Sequence, residues 1–302
     1  MKRILIVVGL SALPLAAAWG EPEFYGRANV SLEVVDEEGE TGTAVQSNSS
    51  RLGVKGSEQL NEQYEVIYQA EYEAHFDDGD NNGDTFSQRN IFVGLKSDWG
   101  TVIAGHFDTP LKRSQGDVDL FSDLRGDVKN VITLHDNRES NSVMYSTPGS
   151  LGAWSANVAY ISSEDPEVTD GKSLSVGYSA GGLYAAVGLD QDVEEEDSEV
   201  GRLTGIYSFD AWQVGALMEI SEMPAEDSES GWLVSSMYTI NQWALKAQVG
   251  QSDIKEEGGE TLSLGADYNL SKAATVFAFL TVNGADGRDD DQYLGLGLQY
   301  KF

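Results

Sequence analysis

The chain has 302 residues, no cysteine, three histidines and a formal charge of −31, with 50 acidic residues against 19 basic ones. This balance excludes a nucleic-acid partner held through its phosphates, and it disfavours a generally basic surface that binds lipid headgroups. Without cysteine, disulfides, thiol catalysis and Cys-ligated metal sites are excluded as well, so oxygen atoms or histidines would have to hold any metal.

Residues 1–20 have the pattern of a secretory signal peptide. Two basic residues, Lys2 and Arg3, precede an apolar run, and small residues follow it. Because serine and proline interrupt the apolar run, it is shorter than the roughly 20 residues that a membrane anchor needs. We therefore predict export through the periplasm and a mature chain of one domain, 21–302, in which 17 basic residues face 50 acidic ones.

The rest of the chain alternates apolar and polar residues with a period of two, which indicates β-strands. In the last strand, Leu294, Leu296 and Leu298 share one face, and Gly295 and Gly297 lie on the other. Sixteen such runs are predicted, near residues 22–34, 48–59, 62–75, 86–97, 100–107, 139–147, 152–162, 172–179, 182–189, 199–208, 211–220, 229–239, 242–251, 259–268, 273–281 and 291–302.

The connections between these runs alternate in length. Short turns are predicted near Asn61, 180–181, Asp210, Asn241 and 270–271. Long acidic loops are predicted at 36–47, 77–85, 190–198, 221–228, 252–258 and 283–290. Short turns at one end, long loops at the other and an even strand count are typical of an outer-membrane β-barrel.

A soluble β-sandwich or β-helix is the alternative, because its strands alternate too. Three features favour the barrel: many glycines on the polar face, a terminal Phe302, and aromatic residues near the strand ends. Those aromatic residues are Tyr25, Trp99, Trp154, Trp212, Trp232, Trp243 and Tyr300.

Four stretches resemble the general diffusion porins of Gram-negative bacteria: 24–27, 49–56, 89–95 with Trp99-Gly100, and 141–148. The resemblance implies a 16-stranded antiparallel transmembrane β-barrel with a long third loop folded into the lumen. It also implies a homotrimer in the bacterial outer membrane, in contact with lipid and lipopolysaccharide, that admits small hydrophilic solutes by passive diffusion. The terminal Phe302 resembles the signal read by the barrel assembly machinery.

The longest connection, near 108–137, matches the third loop of this family, which narrows the pore. By resemblance, the barrel wall at the pore constriction carries Arg27, Arg51, Arg89 and Arg138, with His106 where many relatives have another arginine. Alternation independently places Arg27 and Arg51 on the polar faces of their strands. The facing acids are expected to be Asp117, Asp119 and Asp123. The alternatives are wall arginines paired with nearby acids and, for the loop, a solvated run of charge.

The resemblance leaves two properties to be argued from the residues. Net charge does not fix ion selectivity, because most acids lie in external loops; we expect a cation-leaning or weakly selective pore. Apolar residues of the second to fifth strands are compatible with a subunit interface: Val54, Ile67, Ile91, Phe92, Val93 and Ile103.

Other functions fit the sequence less well. Residues 78–83 begin like a calcium loop, but Arg89 stands where a bidentate glutamate is required. The acidic external loops predict at most loosely bound Ca²⁺ or Mg²⁺, and no cofactor or catalytic residue is expected. A hydrolase lacks a Gly-x-Ser-x-Gly motif here, and an acidic secreted adhesin would not have the four matched stretches.

Overall fold

The computed structural model describes residues 21–78, 83–224 and 227–302. The predicted signal peptide, 1–20, lies outside the described residues, as do parts of the predicted loops 77–85 and 221–228. Within the described part of the chain, no helix is long and apolar enough to cross a membrane.

The described chain is almost entirely β-structure. Its strands are β1 (Glu23–Glu37), β2 (Glu40–Ser47), β3 (Arg51–Gln59), β4 (Glu65–Ala74), β5 (Phe86–Ser97), β6 (Gly100–Asp108), β7 (Arg138–Ser146), β8 (Trp154–Ile161), β9 (Gly171–Ala180), β10 (Leu183–Gln191), β11 (Glu199–Phe209), β12 (Trp212–Glu222), β13 (Glu229–Ile240), β14 (Trp243–Ser252), β15 (Gly259–Asn269), β16 (Ala274–Gly284) and β17 (Asp291–Lys301).

Strands β2 and β3 together form one strand of the barrel. Both pair antiparallel with β1, β2 along its second half and β3 along its first. Between them the chain leaves the ladder at 48–50, where Ser50 Oγ accepts a hydrogen bond from Asn29 N at 2.9 Å. Counted in this way the barrel has sixteen strands, which confirms the predicted number.

The predicted loop at 36–47 is wrong. Strand β1 continues to Glu37, turns through Glu38 and Gly39, and returns as β2. Both turn residues have positive φ, 53° and 79°, as a tight two-residue hairpin turn requires. The acidic composition of this segment therefore belongs to an exposed hairpin that extends the sheet.

The barrel closes because β1 also pairs with β17, from Arg27 opposite Lys301 to Asp36 opposite Gln292. Beyond this ladder, Gly26 and Phe302 exchange two backbone hydrogen bonds of 2.9 and 3.1 Å. Closure satisfies the backbone groups that an open sheet would leave unpaired, which is costly where no water is present.

Burial is inverted relative to a soluble sandwich. Leu294 and Leu296 on the outer face are 57 % and 60 % exposed, whereas Ser263 and Thr281 on the inner face are fully buried. An apolar outside and a polar inside are the properties of a sheet that stands in lipid around a polar interior. The soluble alternatives are thereby excluded.

Aromatic residues encircle the end of the barrel that carries the short turns. Three pairs pack there with ring centroids 4.7 to 4.9 Å apart: Trp154 with Tyr178, Trp212 with Tyr238, and Trp243 with Tyr268. Rings that are apolar on one side and polar at the tip are stable at the boundary between lipid and water.

The glycines of the last strand make room for inward-facing aromatic rings. A Cβ atom at Gly295 or Gly297 would lie 2.2 Å from ring atoms of Phe279 or Phe277. These two phenylalanines belong to a buried cluster with Phe121, which lies in the connection between β6 and β7.

Candidate pore constriction

The third loop, defined here as residues 109–137 between β6 and β7, contains two short helices, α1 (Pro110–Ser114) and α2 (Val128–Val131). Thr109 begins α1, and its side-chain oxygen accepts a hydrogen bond from Lys112 N at 3.2 Å. The loop is thus locally ordered.

One side of the third loop lies against the inner face of β13 and β14. Ser235 Oγ donates to the carbonyl of Val118 at 2.6 Å, and Ser252 Oγ donates to that of Ile132 at 2.7 Å. Gln248 Oε1 accepts from the backbone of the loop at 2.9 Å. Inward-facing polar side chains therefore replace the backbone partners that the loop lacks.

The end of the third loop is held by a buried ion pair between Arg202 of β11 and Glu219 of β12. Their charged atoms are 2.6 Å apart, and both side chains are 0 % exposed. The hydroxyl of Thr133 donates to Glu219, and Arg202 Nη2 donates to the carbonyl of His135 at 3.3 Å. A buried pair needs such additional hydrogen bonds to offset its desolvation.

The opposite side of the third loop reaches β1 and β3 through Asp123. Its carboxylate contacts the guanidinium of Arg27 and lies 3.0 Å from Arg51 Nη2. The two arginines are directly opposite each other in the ladder, an arrangement that is repulsive without a counter-ion between them. Burial raises the pKa of Asp123, but the two guanidiniums outweigh it and lower the pKa to about 2.

Between the third loop and strands β1 to β7 lies an open space of about 610 Å³ lined almost wholly by charged groups. Its basic residues are Arg27, Arg51, Arg89, Lys112, Arg113, Lys129 and Arg138. Its acidic residues are Glu73, Asp108, Asp117, Asp123, Asp127 and Asp136. Seven basic and six acidic residues thus line the space, and the buried Glu71 beside it is paired with Arg51 and Arg89.

Most of these charges are paired. Arg89 lies 2.9 Å from Glu71 and 2.8 Å from Glu73 of the neighbouring strand. Arg138 lies 2.8 Å from Asp108. The remaining pairs are Lys112 with Asp108 and Asp136, and Lys129 with Asp127.

Six of the eight residues predicted for the constriction line this space: Arg27, Arg51, Arg89, Arg138, Asp117 and Asp123. The other two, Asp119 and His106, do not line it.

Asp119 is buried inside the third loop. It accepts hydrogen bonds from the backbone of Phe121 and Val128, both at 2.9 Å, and from Gln248 Nε2 at 3.0 Å. Burial, reinforced by the nearby carboxylate of Asp127, raises the pKa of Asp119 well above its usual range. Its position indicates that it holds the loop in shape.

His106 lies opposite Ile91 in the ladder. In β6 it lies on the face opposite to the buried side chains of Ile103 and Phe107. Its Nδ1 is 2.9 Å from the hydroxyl of Ser140. His106 does not line the charged space, and its correspondence to an arginine of relatives stays a prediction.

Sequence reasoning missed Glu71 and Glu73, which hold Arg89 in place. Both lie on the polar face of β4, and Glu73 is directly opposite Arg51. Opposite charges across neighbouring strands are a recognisable signal once the register is known. The sequence analysis also assigned no role to three basic residues of the third loop that line the space, Lys112, Arg113 and Lys129.

A closed barrel that is apolar outside and carries charged side chains inside defines an outer-membrane channel protein. The chain belongs to the Gram-negative porin family, whose model matches residues 5–288. The protein is therefore a bacterial outer-membrane porin, and its family consists of channels without enzymatic activity.

Curated relatives include the major outer membrane protein P.IB of Neisseria meningitidis serogroup B, 24% identical over the whole of both chains. The P.IB protein of Neisseria lactamica is 31% identical, again over the whole of both chains.

Solved structures show the same fold. The anion-selective porin from Comamonas acidovorans superposes with a TM-score of 0.78 at 19% identity, covering 94% of this chain and 100% of that one. Salmonella typhi OmpF, in a complex with daunomycin, gives a TM-score of 0.78 at 16% identity and covers 93% and 97%. The trimer form of Vibrio cholerae OmpT gives 0.72 at 17% identity and covers 94% and 100%.

Proposed function

We propose that the channel of this porin is a water-filled path for small hydrophilic solutes and ions, and that its narrowest section lies between the third loop and the arginines of β1, β3, β5 and β7. The observation that carries this proposal is the charged space of about 610 Å³ between them. Asp123 bridges the loop to Arg27 and Arg51 of the wall beside this space.

The charges sort solutes without chemistry. The wall and the loop both carry basic and acidic groups, and these fixed charges produce a strong local field in a narrow, water-filled gap. Such a field orders water, so it costs free energy to displace that water with an apolar solute, which cannot replace its hydrogen bonds. A small polar solute can replace the displaced water contacts and pass.

Selectivity follows from the lining of this space rather than from the charge of the whole chain. The sequence led us to expect a cation-leaning or weakly selective pore. Seven basic groups line the space, and six lining acids together with Glu71, which is paired with Arg51 and Arg89, balance them, so we propose a weakly selective pore. Bulk acidity in external loops is largely screened beyond a Debye length of about 8 Å at physiological salt.

We also propose a homotrimer, with an interface formed by the outward apolar residues of β3 and β5. Val54, Ile91 and Val93 remain candidates for it. Ile67, Phe92 and Ile103 do not, because they pack in a cluster with the buried Phe107 and Met144. Surrounding lipid and lipopolysaccharide, and recognition of Phe302 by the barrel assembly machinery, belong to the same proposal.

The test is single-channel recording of the refolded mature protein in a planar lipid bilayer. We expect stepwise currents that arrive in threes, and a reversal potential in a KCl gradient that shows weak ion selectivity. Protein that is folded by heat-modifiable gel migration yet carries no current would contradict a diffusion channel. A strong preference for either ion would contradict the role given to the balanced lining charges.

A further inference from the structure

A row of polar side chains crosses five neighbouring strands on the outer face of the barrel, at the end that carries the long loops. These side chains point outward, because they alternate along their strands with buried residues such as Ser173 and Val200. We call them the rim row. Its members are direct partners in the ladders from β8 to β12: Tyr160, Lys172, Gln191, Glu199 and Glu222.

Next to the rim row, on the same outer face, lies an apolar groove of about 760 Å³. A Cβ atom at Gly201 would meet only Leu189 Cδ2, at 3.6 Å, so the glycine leaves a depression between larger neighbours. The volume is within the range of about 300–1,000 Å³ that is usual for small-molecule sites. The groove is formed by one outward residue from each of the five strands: Val158, Leu174, Leu189, Gly201 and Ile220. Because this face stands in lipid, the molecule that fills the groove is a lipid.

The charges of the rim row are not neutralised by ion pairs. Glu199 and Glu222 are directly opposite each other on β11 and β12, which is repulsive without a cation between them. In the described part of the chain, neither of them forms an ion pair, and Lys172 forms none either. The exposed Asp170, which accepts a hydrogen bond from the hydroxyl of Tyr160, also lies near Lys172. One ammonium group thus stands among three carboxylates.

This charge pattern favours a lipid headgroup that carries an ammonium beside a phosphate. An ammonium has three N–H donors, so it can donate to both glutamates at once, and such charge-assisted hydrogen bonds are the strong ones. The neighbouring phosphate can accept from Lys172. A headgroup with phosphates alone, such as that of lipid A, is repelled by the excess of carboxylates unless divalent cations intervene. The phosphoethanolamine group has both charges in one headgroup.

We propose that the outer face of β8 to β12 is a docking site for a zwitterionic phospholipid of the phosphatidylethanolamine type. Its ammonium lies between Glu199 and Glu222, its phosphate lies at Lys172, and one of its acyl chains fills the groove at Gly201. This inference rests on the surrounding lipid of the proposed function, and it goes beyond it by naming one lipid class and the residues that bind it.

The experiment is native mass spectrometry of the refolded mature protein in detergent, with one lipid added at a time. The measured quantity is the lipid concentration at which half of the protein carries a lipid. Three probes have the same dioleoyl chains: phosphatidylethanolamine, phosphatidylcholine, which has the same charges but no N–H donor, and phosphatidylglycerol, which has no cation. The fourth probe is lipid A, with and without Ca²⁺. Heat-modifiable gel migration and single-channel conductance show that each protein used is folded.

We expect the wild type to bind phosphatidylethanolamine about fivefold more tightly than phosphatidylglycerol, with phosphatidylcholine between them. The double variant E199Q/E222Q should bind phosphatidylethanolamine and phosphatidylglycerol equally, because the acceptors of the ammonium have lost their charge. K172Q should weaken both by about threefold, since both carry the phosphate. G201L should weaken all three phospholipids without changing their order, because its side chain fills the groove.

Two variants on the far side of the barrel are matched controls. E260Q removes an exposed acid from the outward face of β15 at the same end of the barrel, and A278L enlarges an exposed outward alanine of β16. Neither residue lines the groove. Both controls should bind the four probes as the wild type does.

Three results would overturn the inference. The first is equal binding of phosphatidylethanolamine and phosphatidylglycerol by the wild type, and the second is an unchanged preference in E199Q/E222Q. The third is lipid A that binds more tightly than phosphatidylethanolamine in Ca²⁺ and is lost in E199Q/E222Q, which would assign the groove to lipopolysaccharide held through a divalent cation. A conducting wild type without lipid preference contradicts this inference alone, whereas a folded wild type without current contradicts the proposed channel.

Discussion

At the scale of single residues, Asp123 joins the third loop to the arginines of β1 and β3. It neutralises two arginines that stand directly opposite each other, Arg27 and Arg51. Asp117 also lines the charged space, but no ion pair or side-chain hydrogen bond is found for it among the described residues. The two acids thus carry the same charge in the same space with different mechanical roles.

We predict that D123N and D117N will shift the reversal potential in the same direction, towards anions, because each removes one negative charge from the lining. Only D123N should increase the noise of the open-channel current, since of these two acids only Asp123 is paired with residues of β1 and β3. Single-channel recordings at high bandwidth measure both effects. Equal noise in the two variants would show that the ion pairs of Asp123 do not restrain the loop.

The pH dependence gives an internal control. The pKa of Asp123 in the folded protein is about 2, below the value of about 3.9 for a free aspartate. A lowered pKa means that the ion pair is fully present above the unfolded value and is lost as pH falls through 2. The open-channel noise of the wild type should therefore stay low from pH 7 to pH 4 and approach that of D123N only near pH 2.

At the scale of elements, the last two strands show how a polar face can hold aromatic rings. Gly295 and Gly297 of β17 leave space for Phe279 and Phe277 of β16. The ring of Phe279 is only 3 % exposed and packs with Phe121 of the third loop. The glycines therefore make room for the rings against which the third loop packs.

We predict that G295A will lower the free energy of unfolding by about 1–3 kcal/mol, the usual cost of overfilling a packed core. The added Cβ would lie 2.2 Å from the ring of Phe279, which cannot move away without displacing Phe121. Urea unfolding in detergent micelles, followed by tryptophan fluorescence, measures the change.

The matched control is G205A in β11, where a Cβ meets no atom within 4 Å. It should leave stability unchanged or raise it by about 0.5–1 kcal/mol, because glycine is the less favourable residue in a strand interior. A loss of stability in G205A as large as in G295A would contradict the packing argument.

The strands were predictable because a period of two is forced by the pleat, and lipid outside makes one face apolar throughout. The hairpin at 38–39 was missed because its acids were read as loop composition. In the site, alternation located Arg27 and Arg51, but irregular register near Ala70 and Gly105 complicates it further along. One inserted residue moves all the following side chains of a strand to the opposite face. The sequence pattern does not show where these insertions occur.

The partners of the third loop were beyond sequence reasoning. Asp119 and Asp123 are four residues apart in one acidic segment, yet one is buried in the loop and the other bridges to the wall. Asp119 is held inside the loop by Gln248, and Asp123 is held at the wall by Arg27. Both partners are more than 90 positions away along the chain.

At the scale of the whole molecule, the outer face of the barrel has to satisfy lipid over most of its circumference and, in the proposed trimer, two neighbouring subunits over the rest. Val93 of β5 and Val187 of β10 are both exposed on this face, at 56 % and 47 %. They lie on strands that are well separated in the order around the barrel.

We predict that V93R will run as a monomer on unboiled SDS gels and that V187R will keep the trimer band. Both variants place the same charge on an outward position and carry a similar cost in lipid, about 2–4 kcal/mol near the middle of the bilayer. Only V93R also places a charge in the proposed subunit interface. Loss of the trimer in V187R alone would place the interface on the other side of the barrel.

The pairing of β1 with β17 also determines when this protein can finish folding. Arg27 and Lys301 are neighbours in the closed ladder but lie at opposite ends of the sequence. Joining such distant segments is slow, because much chain entropy is lost before the contact is gained. Every earlier intermediate has two sheet edges with unpaired backbone groups. These groups are unstable in lipid and can pair with the open edges of other chains. The export pathway must therefore keep the nearly complete chain from aggregating until its final strand arrives and the ring can close.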